Sequence, residues 1–412
     1  MQLASPYDRL LVPVYLPSFL MALSQMALMI LLPLHVIELG YGPAFAATVV
    51  GLRGVGVLLF DLPAGLLVTR FGDKPVLIGG LGLILTGNTM LSIVSHPVAL
   101  GIAALLLGAG FAAWMLGRQS YIADTCENHE VGRAIAVMAG LQRAGTFVGP
   151  AAGGVLVAQA GYPTAFAVGA VFAVVAVALV LSFTRNPVAR HQRGAVGWAS
   201  MAGLIQTHRK IFATAGTASL TLQLMRAART LLVPLFGQAA GLDVVAIGLI
   251  YSASAAIDMS LFYPVGVVVD RWGRKWSAVP SLALFALGLA CLPWAQGFYS
   301  LLGAGLLLGV ANGVGTGIVM IIGADLAQDV EQRGHFLGIW RLIGDVGMCT
   351  APLLSGILVN VAGLAAASLA AASFGVVGVI IMWVLVPETL RRRSGLASSG
   401  DRIEPDLPAK ER

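Results

Sequence analysis

A ten-residue pattern occurs twice in this chain, 201 residues apart, and it constrains the fold more than any other feature of the sequence. The first copy spans Gly65–Lys74 (GLLVTRFGDK) and the second spans Gly266–Lys275 (GVVVDRWGRK). Further pairs keep this offset, or an offset of 202 after one inserted residue: Gly108 and Gly309, Asp124 and Asp325, and Pro150 and Pro352. Self-similarity at half of the chain length predicts two like-handed halves.

The two copies lie in a chain that is too apolar for a soluble domain. Of its 412 residues, 58% are hydrophobic and 11% are charged, and the mean hydropathy is +0.88. A stretch of about 20 apolar residues can cross a bilayer as a helix. Such stretches occur at residues 10–38, 44–69, 75–95, 98–120, 133–158, 162–184, 211–237, 245–269, 276–295, 299–323, 335–360 and 364–386. They predict an all-α integral membrane fold of twelve transmembrane helices in two pseudo-symmetric six-helix bundles.

Polar segments divide the chain into four parts. The N-terminal bundle is expected at residues 1–184 and the C-terminal bundle at residues 211–387. The longest internal polar stretch, residues 185–210, is predicted to be a cytoplasmic linker between them. Residues 388–412 have no apolar period and are predicted to form a disordered cytoplasmic tail.

Basic residues predict the orientation of the chain. Of the 25 Lys and Arg residues, all but five fall in segments that face one side of the membrane, and those five lie within helices. The positive-inside rule therefore places both termini in the cytoplasm of a multi-pass protein of the inner (plasma) membrane. The pI near 9.5 follows from this topology, so no nucleic-acid partner is expected.

The twelve helices, the central linker and the paired Gly-x-x-x-Asp-Arg-x-Gly-Arg-Lys loops resemble the major facilitator superfamily. The second copy matches the family pattern at every signature position, whereas the first has Thr69 and Asp73 where the family has Asp and Arg. The resemblance implies a cytoplasmic gate that holds the two halves together; the alternative is that the charges only anchor the loops at the membrane surface. The implied gate residues are Gly65, Arg70, Gly72, Lys74, Gly266, Asp270, Arg271, Gly273, Arg274 and Lys275.

The fifth apolar segment contains a second family-like motif. It is similar to the Gly-Pro-x-x-Gly-Gly motif of antiporters in the superfamily, especially drug:proton exporters. The residues that carry it are Gly145, Gly149, Pro150, Gly153 and Gly154. A glycine-rich helix with a proline can bend and can pack closely against the other half. An ordinary close-packed helix is the alternative interpretation.

Charged residues inside the predicted helices are the candidates for a substrate cavity, because such residues are costly in a bilayer. They are Arg53, Arg143, Arg226, Arg229, Arg341 and Asp345, together with Asp61 and Asp258. Arg341 and Asp345 are spaced to pair on one helix face. Arg226 and Arg229 share a face and require an acidic partner or an anionic ligand. Pseudo-symmetry places Arg143 opposite Asp345 and suggests a contact between the halves. A buried structural network is the alternative.

Carboxylates are the candidates for proton coupling, because burial and nearby arginines control their protonation. Asp61 is the first choice, since it lies two turns from Arg53 and precedes Pro63. Asp258 is the second. Glu38, at the outer end of the first helix, is the third, and His35 is expected to be a satisfied helix residue rather than a proton relay.

These features favour a secondary active transporter. No nucleotide-binding loop, metal-ligand spacing or catalytic triad occurs in the sequence, so neither an enzyme nor a cofactor is predicted. The expected function is proton-coupled efflux of an amphipathic, drug-like compound by alternating access, in a monomer embedded in the lipid bilayer. Uptake or export of a small organic anion is the main alternative, because five membrane arginines face three or four acids. A membrane receptor or scaffold without transport activity is an alternative of another class.

Overall fold

The computed structural model describes residues 10–184, 198–328, 330 and 332–390. Within them, nine helices are long and apolar enough to cross a membrane. Two of the nine, of 55 and 53 residues, bend at Gly161 and Gly363, whose φ angles of 80° and 85° suit glycine, and each supplies two spans. The helix Thr217–Ala239 carries two arginines, which make it less apolar, and completes the twelve.

The observed helices follow the predicted segments closely. Their bounds are α1 (Leu16–Glu38, preceded by the π-helical turn Leu11–Tyr15), α2 (Pro43–Phe71), α3 (Asp73–Ile93), α4 (Pro97–Thr125), α5 and α6 (128–160 and 162–183 within Asn128–Phe183), α7 (Thr217–Ala239), α8 (Val244–Trp272), α9 (Lys275–Cys291), α10 (Phe298–Val314 and Ile318–Leu326), and α11 and α12 (333–362 and 364–380 within Arg333–Ile380). The all-α fold of two pseudo-symmetric six-helix bundles is confirmed.

Each half repeats the same internal packing. In the first half α2 and α3 pack on α4, and α1 packs on the bent pair α5 and α6; in the second half α8 and α9 pack on α10, and α7 packs on α11 and α12. Close contacts repeat with the sequence. Gly108 of α4 lies against the carbonyl of Arg53, and Gly309 of α10 lies against the carbonyl of Ser254, each partner being 201 residues on from its counterpart. The sequence repeat is therefore a repeat of backbone contacts.

The halves meet mainly along two helix pairs, α2 with α11 and α5 with α8, with a smaller contact between α1 and α7. Backbones approach closely at one end of both pairs. A methyl group placed on Gly54 would lie 2.9 Å from Cys349 Cα, and one on Gly154 would lie 2.8 Å from the carbonyl oxygen of Val244. Only glycine permits this approach.

The opposite end of the interface is open. We call it the basic face: it is the end at which Gly72 joins α2 to α3 and Gly273 joins α8 to α9. Gly266 lies 18 residues, or about five turns, along α8 from Gly248, and therefore on the same side of that helix. A methyl group on Gly248 would meet Pro150 O at 2.5 Å, whereas one on Gly266 would meet no atom within 4 Å. The halves thus separate toward the basic face.

Three features differ from expectation. The predicted linker 185–210 includes a helix, Trp198–Thr207, whereas residues 185–197 lie outside the described residues. Glu388, the first residue of the predicted tail, accepts hydrogen bonds on its carboxylate from the backbone of the Gly266–Lys275 loop; residues 391–412 lie outside the described residues. The tenth segment is interrupted, since Gly317 has a left-handed φ of 72° and ends the first part of α10.

Candidate functional site

Charged side chains from both halves meet midway along the interface. Arg341 of α11 donates from Nη2 to Asp61 Oδ1 of α2 at 2.8 Å, and its Nε lies 3.7 Å from Asp345 Oδ2 one turn along α11. Two carboxylates therefore share one guanidinium across the boundary between the halves. The Asp61 and Asp345 side chains are 10% and 15% exposed, and Arg341 is 38% exposed. We call these three residues the shared-arginine triad.

A second ion pair crosses between α5 and α8. Arg143 Nη1 lies 3.9 Å from Asp258 Oδ1, and the guanidinium stacks over Phe262 with 4.2 Å to the ring centroid. Two α10 side chains complete the carboxylate shell: Asn312 Nδ2 donates to Oδ2 at 2.8 Å, and the Thr316 hydroxyl donates to Oδ1 at 3.1 Å.

The suggested contact between Arg143 and Asp345 is therefore wrong. The i,i+4 neighbours Arg341 and Asp345 do lie together, but Arg143 pairs with Asp258. The reason is the packing of the halves, since α5 lies along α8 while α11 lies along α2. The equivalent helices α5 and α11 do not pack against each other, although the equivalent pair α1 and α7 does.

Arg226 and Arg229 have neutral hydrogen-bond acceptors. Arg226 Nη2 donates to the carbonyl oxygen of Gly315 at 2.7 Å, and its Nη1 donates to Gln223 Oε1 at 2.7 Å. Arg229 donates to the Ser254 hydroxyl at 2.7 Å. The salt bridges formed by the described residues include neither arginine. The expected acidic partner is thus not a direct contact of this pair.

Electrostatics nevertheless joins these residues into one group. Arg226 interacts over a longer distance with Asp258, Arg229 and Arg143. Arg226 and Arg143 therefore both interact with the Asp258 carboxylate, and Arg229 lies close enough to Arg226 to act on it. We call these four residues the arginine cluster. Because the cluster carries a net positive charge in a region of low dielectric constant, an added anion would be attracted there.

The break in α10 exposes a backbone carbonyl that accepts a hydrogen bond from Arg226, a contact that the sequence did not predict. Where a helix stops, its last carbonyl groups lose their intrahelical donors. Arg226 donates a hydrogen bond to the carbonyl oxygen of Gly315, and the Ser277 hydroxyl of α9 donates to the carbonyl oxygen of Val314 at 2.5 Å. The spacing of Gly313, Gly315 and Gly317 is the sequence signal that marks this break.

The remaining membrane candidates lie outside both groups. Arg53 is buried and donates to Gln25 Oε1 at 2.8 Å, so it is held within the N-terminal half. Glu38 lies exposed at the end of α1. His35 is buried between the rings of Tyr162 and Phe166, with centroid distances of 5.3 and 5.0 Å. Within the described ranges, no three His, Cys, Asp or Glu side chains are arranged to hold a metal ion.

The glycines of α5 contact two different helices. Gly145, Gly149 and Gly153 recur at every fourth position and face α1, where a methyl group on Gly153 would lie 2.8 Å from Ala27 Cβ. Pro150 and Gly154 face α8. The Gly-Pro motif therefore fits α5 closely between its own half and the other half, while its role in antiport stays a prediction.

The predicted gate lysines bind within their own halves. Lys74 Nζ donates to the carbonyl oxygens of Leu181 and Thr184 at the end of α6, at 2.9 Å each. Lys275 Nζ donates to the carbonyl oxygen of Trp383, in the turn that ends α12, at 2.9 Å. Each lysine thus binds the C-terminal end of the last helix of its half, where free carbonyls attract a cation.

The second loop also contains an ion pair within its half. Arg274 Nε lies 2.8 Å from Asp325 Oδ2, and its Nη1 lies 3.9 Å from the Asp270 carboxylate, whose side chain is 80% exposed. Arg271 is exposed. In the first loop Arg70 stacks on its neighbour Phe71. A cytoplasmic gate that holds the two halves together therefore stays a prediction.

Glu388 joins this loop, although its Pro-Glu-Thr context gave no strong signal in the sequence. Its carboxylate accepts hydrogen bonds from the backbone nitrogens of Arg274 and Lys275 at 2.9 and 3.1 Å. Burial alone would raise the pKa of Glu388, but the backbone N–H groups that bind the carboxylate outweigh burial and lower that pKa. The side chain therefore stays ionised at the start of α9.

Comparisons with known proteins agree with this architecture. The family model of the Major Facilitator Superfamily matches residues 14–262 and 216–410, which together span nearly the whole chain. This chain belongs to the Major Facilitator Superfamily. Its members are membrane transporters, and the chain is a multi-pass membrane protein of this kind.

Individual relatives are distant. A probable quinate permease of Aspergillus clavatus is 33% identical over 100 residues, which are 24% of this chain and 18% of the permease. The multidrug resistance protein MdtH of Photorhabdus laumondii is 23% identical over 282 residues, which are 64% of this chain and 65% of MdtH. A crystal structure of a D-xylose–proton symporter superposes with a TM-score of 0.73 at 15% identity, covering 93% of this chain and 99% of the symporter. The last comparison shows the shared fold.

Proposed function

We propose that this chain is a proton-coupled exporter of a small amphipathic organic compound, with both termini in the cytoplasm. The observation that carries the proposal is the shared-arginine triad at the boundary between the halves. With both carboxylates ionised the triad carries one net negative charge, and one bound proton neutralises it. Because Asp61 and Arg341 belong to different halves, any rocking of the halves changes their separation and so the attraction between them.

The direction of transport rests on two further observations. The glycine-rich stretch of α5 that resembles an antiporter motif is packed between α1 and α8. The named relatives include a multidrug resistance protein. The positive-inside rule puts the basic face in the cytoplasm, so the open end of the interface would receive substrate from inside the cell.

A liposome experiment tests proton coupling. The purified chain is reconstituted with a pH-sensitive dye in the lumen, and proton movement is followed after addition of ethidium, quinate or D-xylose. We expect at least one compound to move protons with the parent chain, and Asp61→Asn to reduce that movement at least tenfold without loss of expression or folding. Glu38→Gln is the comparison: Glu38 is the third coupling candidate but lies exposed at the end of α1, outside the triad, so we expect this change to leave proton movement unchanged. Equal proton-driven transport by Asp61→Asn and the parent chain would remove Asp61 from the coupling step.

Transport of a small organic anion is the second candidate, and the arginine cluster favours it. Guanidinium groups bind carboxylates in bidentate geometry, and the cluster has three of them but a single carboxylate, that of Asp258. The same assay separates the candidates, because an anion site predicts transport of quinate and a site for lipophilic compounds predicts transport of ethidium.

A further inference from the structure

A cavity of about 170 Å³ lies within the N-terminal half, away from both charged groups. It is enclosed by α1, α3, α5 and α6. Its walls are mainly apolar and include Leu28, Leu156 and Phe166. Two polar side chains, Ser24 and Asn88, also line it.

The C-terminal half contains the same site, but there it is filled. The equivalent space lies between α7, α11 and α12 and measures about 10 Å³. Its lining corresponds to the first cavity at the offsets of the sequence repeat: Leu224 to Leu23, Ala228 to Ala27, Leu358 to Leu156, Ala367 to Ala165 and Phe374 to Phe172. The same arrangement of helices therefore leaves a cavity in the N-terminal half and is closely packed in the C-terminal half.

Side-chain size explains most of the difference. Small residues of the N-terminal half have larger counterparts: Gly149 corresponds to Ala351, Ala152 to Leu354, Gly153 to Ser355 and Gly169 to Ala371. Phe166 and Val168 are exceptions, since their counterparts are the smaller Ser368 and Ala370. The polar residues are replaced as well, Ser24 by Met225 and Asn88 by Leu289, and both replacements are fully buried. Close packing of this kind is usual for protein interiors, so the empty copy is the unusual one.

One oxygen of the cavity wall, Asn88 Oδ1, accepts no hydrogen bond from the described residues. Asn88 is 1% exposed, and within the described part of the chain its amide makes one hydrogen bond, from Nδ2 to the carbonyl oxygen of Ile84 at 3.0 Å. Its Oδ1 faces Gly169, where a methyl group would lie 2.9 Å away, and the Ser24 hydroxyl is placed similarly at 2.8 Å. A buried amide oxygen without a donor destabilises a protein, and a ligand that donates to it would remove this cost.

The cavity reaches an exposed side of α5 that does not face the other half. Val148 lines the cavity and is 41% exposed, as is Val155 two turns along α5. Pro150 and Gly154 lie on a different side of α5, against α8 and the other half. A molecule dissolved in the bilayer can therefore reach the cavity without entering the interface.

We propose that this cavity binds a small, uncharged, apolar molecule with one hydrogen-bond donor, such as a phenol, taken up from the bilayer. The volume is suitable, because a cavity of about 150 Å³ in another protein binds benzene. The apolar walls accept the body of the ligand, and Asn88 Oδ1 accepts a hydrogen bond from its polar end. A lipid acyl chain would match the walls but would leave Asn88 Oδ1 without a donor.

Binding of 4-fluorophenol and 4-fluorotoluene to the full chain in nanodiscs, measured by ¹⁹F NMR, tests this inference. We expect the parent chain to bind 4-fluorophenol saturably. Ala152→Leu introduces the residue of the filled half and should weaken binding of both compounds at least tenfold. Asn88→Leu should weaken 4-fluorophenol at least tenfold and 4-fluorotoluene less than threefold. Val175→Leu, an exposed α6 position that does not line the cavity, is the control and should change neither.

Three results would overturn the proposal. Unchanged binding by Ala152→Leu would place the compound elsewhere. Equal losses for both compounds in Asn88→Leu would remove the hydrogen bond. Phospholipid that copurifies with the parent chain but not with Ala152→Leu, without saturable binding of 4-fluorophenol, would identify an acyl chain as the occupant. If the melting temperature shows that Ala152→Leu is misfolded, Ser24→Met, which introduces another residue of the filled half, provides the same test.

Discussion

The two halves of the molecule use the same glycine contacts to pack their helices but place different side chains on them. A methyl group on Gly87 would lie 2.6 Å from Leu107, and one on Gly288 would lie 2.7 Å from Leu308, the partner 201 residues later. The charges inside the membrane helices do not repeat in this way. Helices in lipid must pack closely, so the glycines at their contacts are the same in both halves. The polar side chains are not constrained in this way and differ between the halves.

Membrane arginines show this specialisation. At the positions of Arg226 and Arg229 in α7, the first half has Gln25 and Leu28 in α1. At the position of Arg53 in α2, the second half has Ser254 in α8. Each half therefore joins its first two helices by a guanidinium, but from opposite partners: α2 donates to α1 in the first half, and α7 donates to α8 in the second. Inside the membrane, the first two helices of the second half therefore carry one arginine more than those of the first half, which have only Arg53.

The paired loops differ in the same manner. Both lysines of the repeat bind the end of the last helix in their half. The arginine of the second loop pairs with Asp325, but the first loop has Asp73 at that position, beside Ser120 and Asp124. An attractive pair in one half thus corresponds to two carboxylates in the other.

Breaking the attractive pair should have the largest effect on stability. Arg274 and Asp325 are both mostly buried, and removal of one partner leaves the other charge without its counterion. We expect Arg274→Ala to lower the free energy of unfolding in bicelles by about 3 kcal/mol. Arg70→Ala is the control, because Arg70 is exposed and stacks only on its neighbour Phe71. Equal losses for the two variants would show that the pair contributes nothing beyond an ordinary surface arginine.

Substitution of the α7 arginines should have the next largest effect, and it tests whether the additional charge of the second half serves substrate binding. Lysine preserves the charge of Arg226 or Arg229 but cannot form bidentate contacts. We expect either substitution to weaken substrate binding about tenfold, or about 1.4 kcal/mol. Affinity is measured for the compound that moves protons in liposomes, and melting temperature is measured on the same samples. A lowered melting temperature with unchanged affinity would assign both arginines to the structure alone.

A smaller effect is expected from the acid that only the second loop retains. Asp270 is 80% exposed and contacts Arg274 at 3.9 Å, so Asp270→Asn should change stability by less than about 0.5 kcal/mol. We expect it nevertheless to slow vesicle transport about threefold, because its exposed carboxylate is available to the other half when the basic face closes. Thr69→Ala, the matched change in the first loop, should leave the rate unchanged. The reverse ranking would identify the first loop as the working gate.

Sequence reasoning predicted the helices well because the bilayer fixes their length. The second segment, predicted at 44–69, is observed at Pro43–Phe71. Hydropathy could not show the interruption of α10, since the residues around Gly317 are as apolar as a continuous helix. The role of Glu388 was missed for a different reason: its backbone partners are 113 and 114 residues away in the sequence.

The partners of the ion pairs between the halves cannot be predicted from the sequence repeat alone. Arg143 and Arg341 are 198 residues apart, and their partners Asp61 and Asp258 are 197 apart, so both pairs depart from the 201-residue repeat by about one helical turn. The two pairs are therefore related by the pseudo-symmetry of the helices but not by exact residue equivalence. Alignment of the halves consequently placed Arg143 with Asp345, and only the packing of α5 on α8 identifies Asp258 as its partner.

The smallest expected effect comes from giving the first loop the charge of the second. Asp73→Arg would place a cation beside Asp124, as Arg274 lies beside Asp325. Repulsion between two carboxylates would become attraction, while the favourable position of Asp73 at the start of α3 would be lost, a cost of about 0.3–1 kcal/mol. We expect a net gain of about 0.5 kcal/mol in the free energy of unfolding, within the range of a partly screened pair. Asp73→Asn separates the two contributions, because it removes the repulsion without adding a cation, and it should give less than the arginine variant. If Asp73→Arg is less stable than both Asp73→Asn and the parent chain, the first loop requires its two carboxylates. The two halves would then differ at this position in their surrounding packing and not only in one charge.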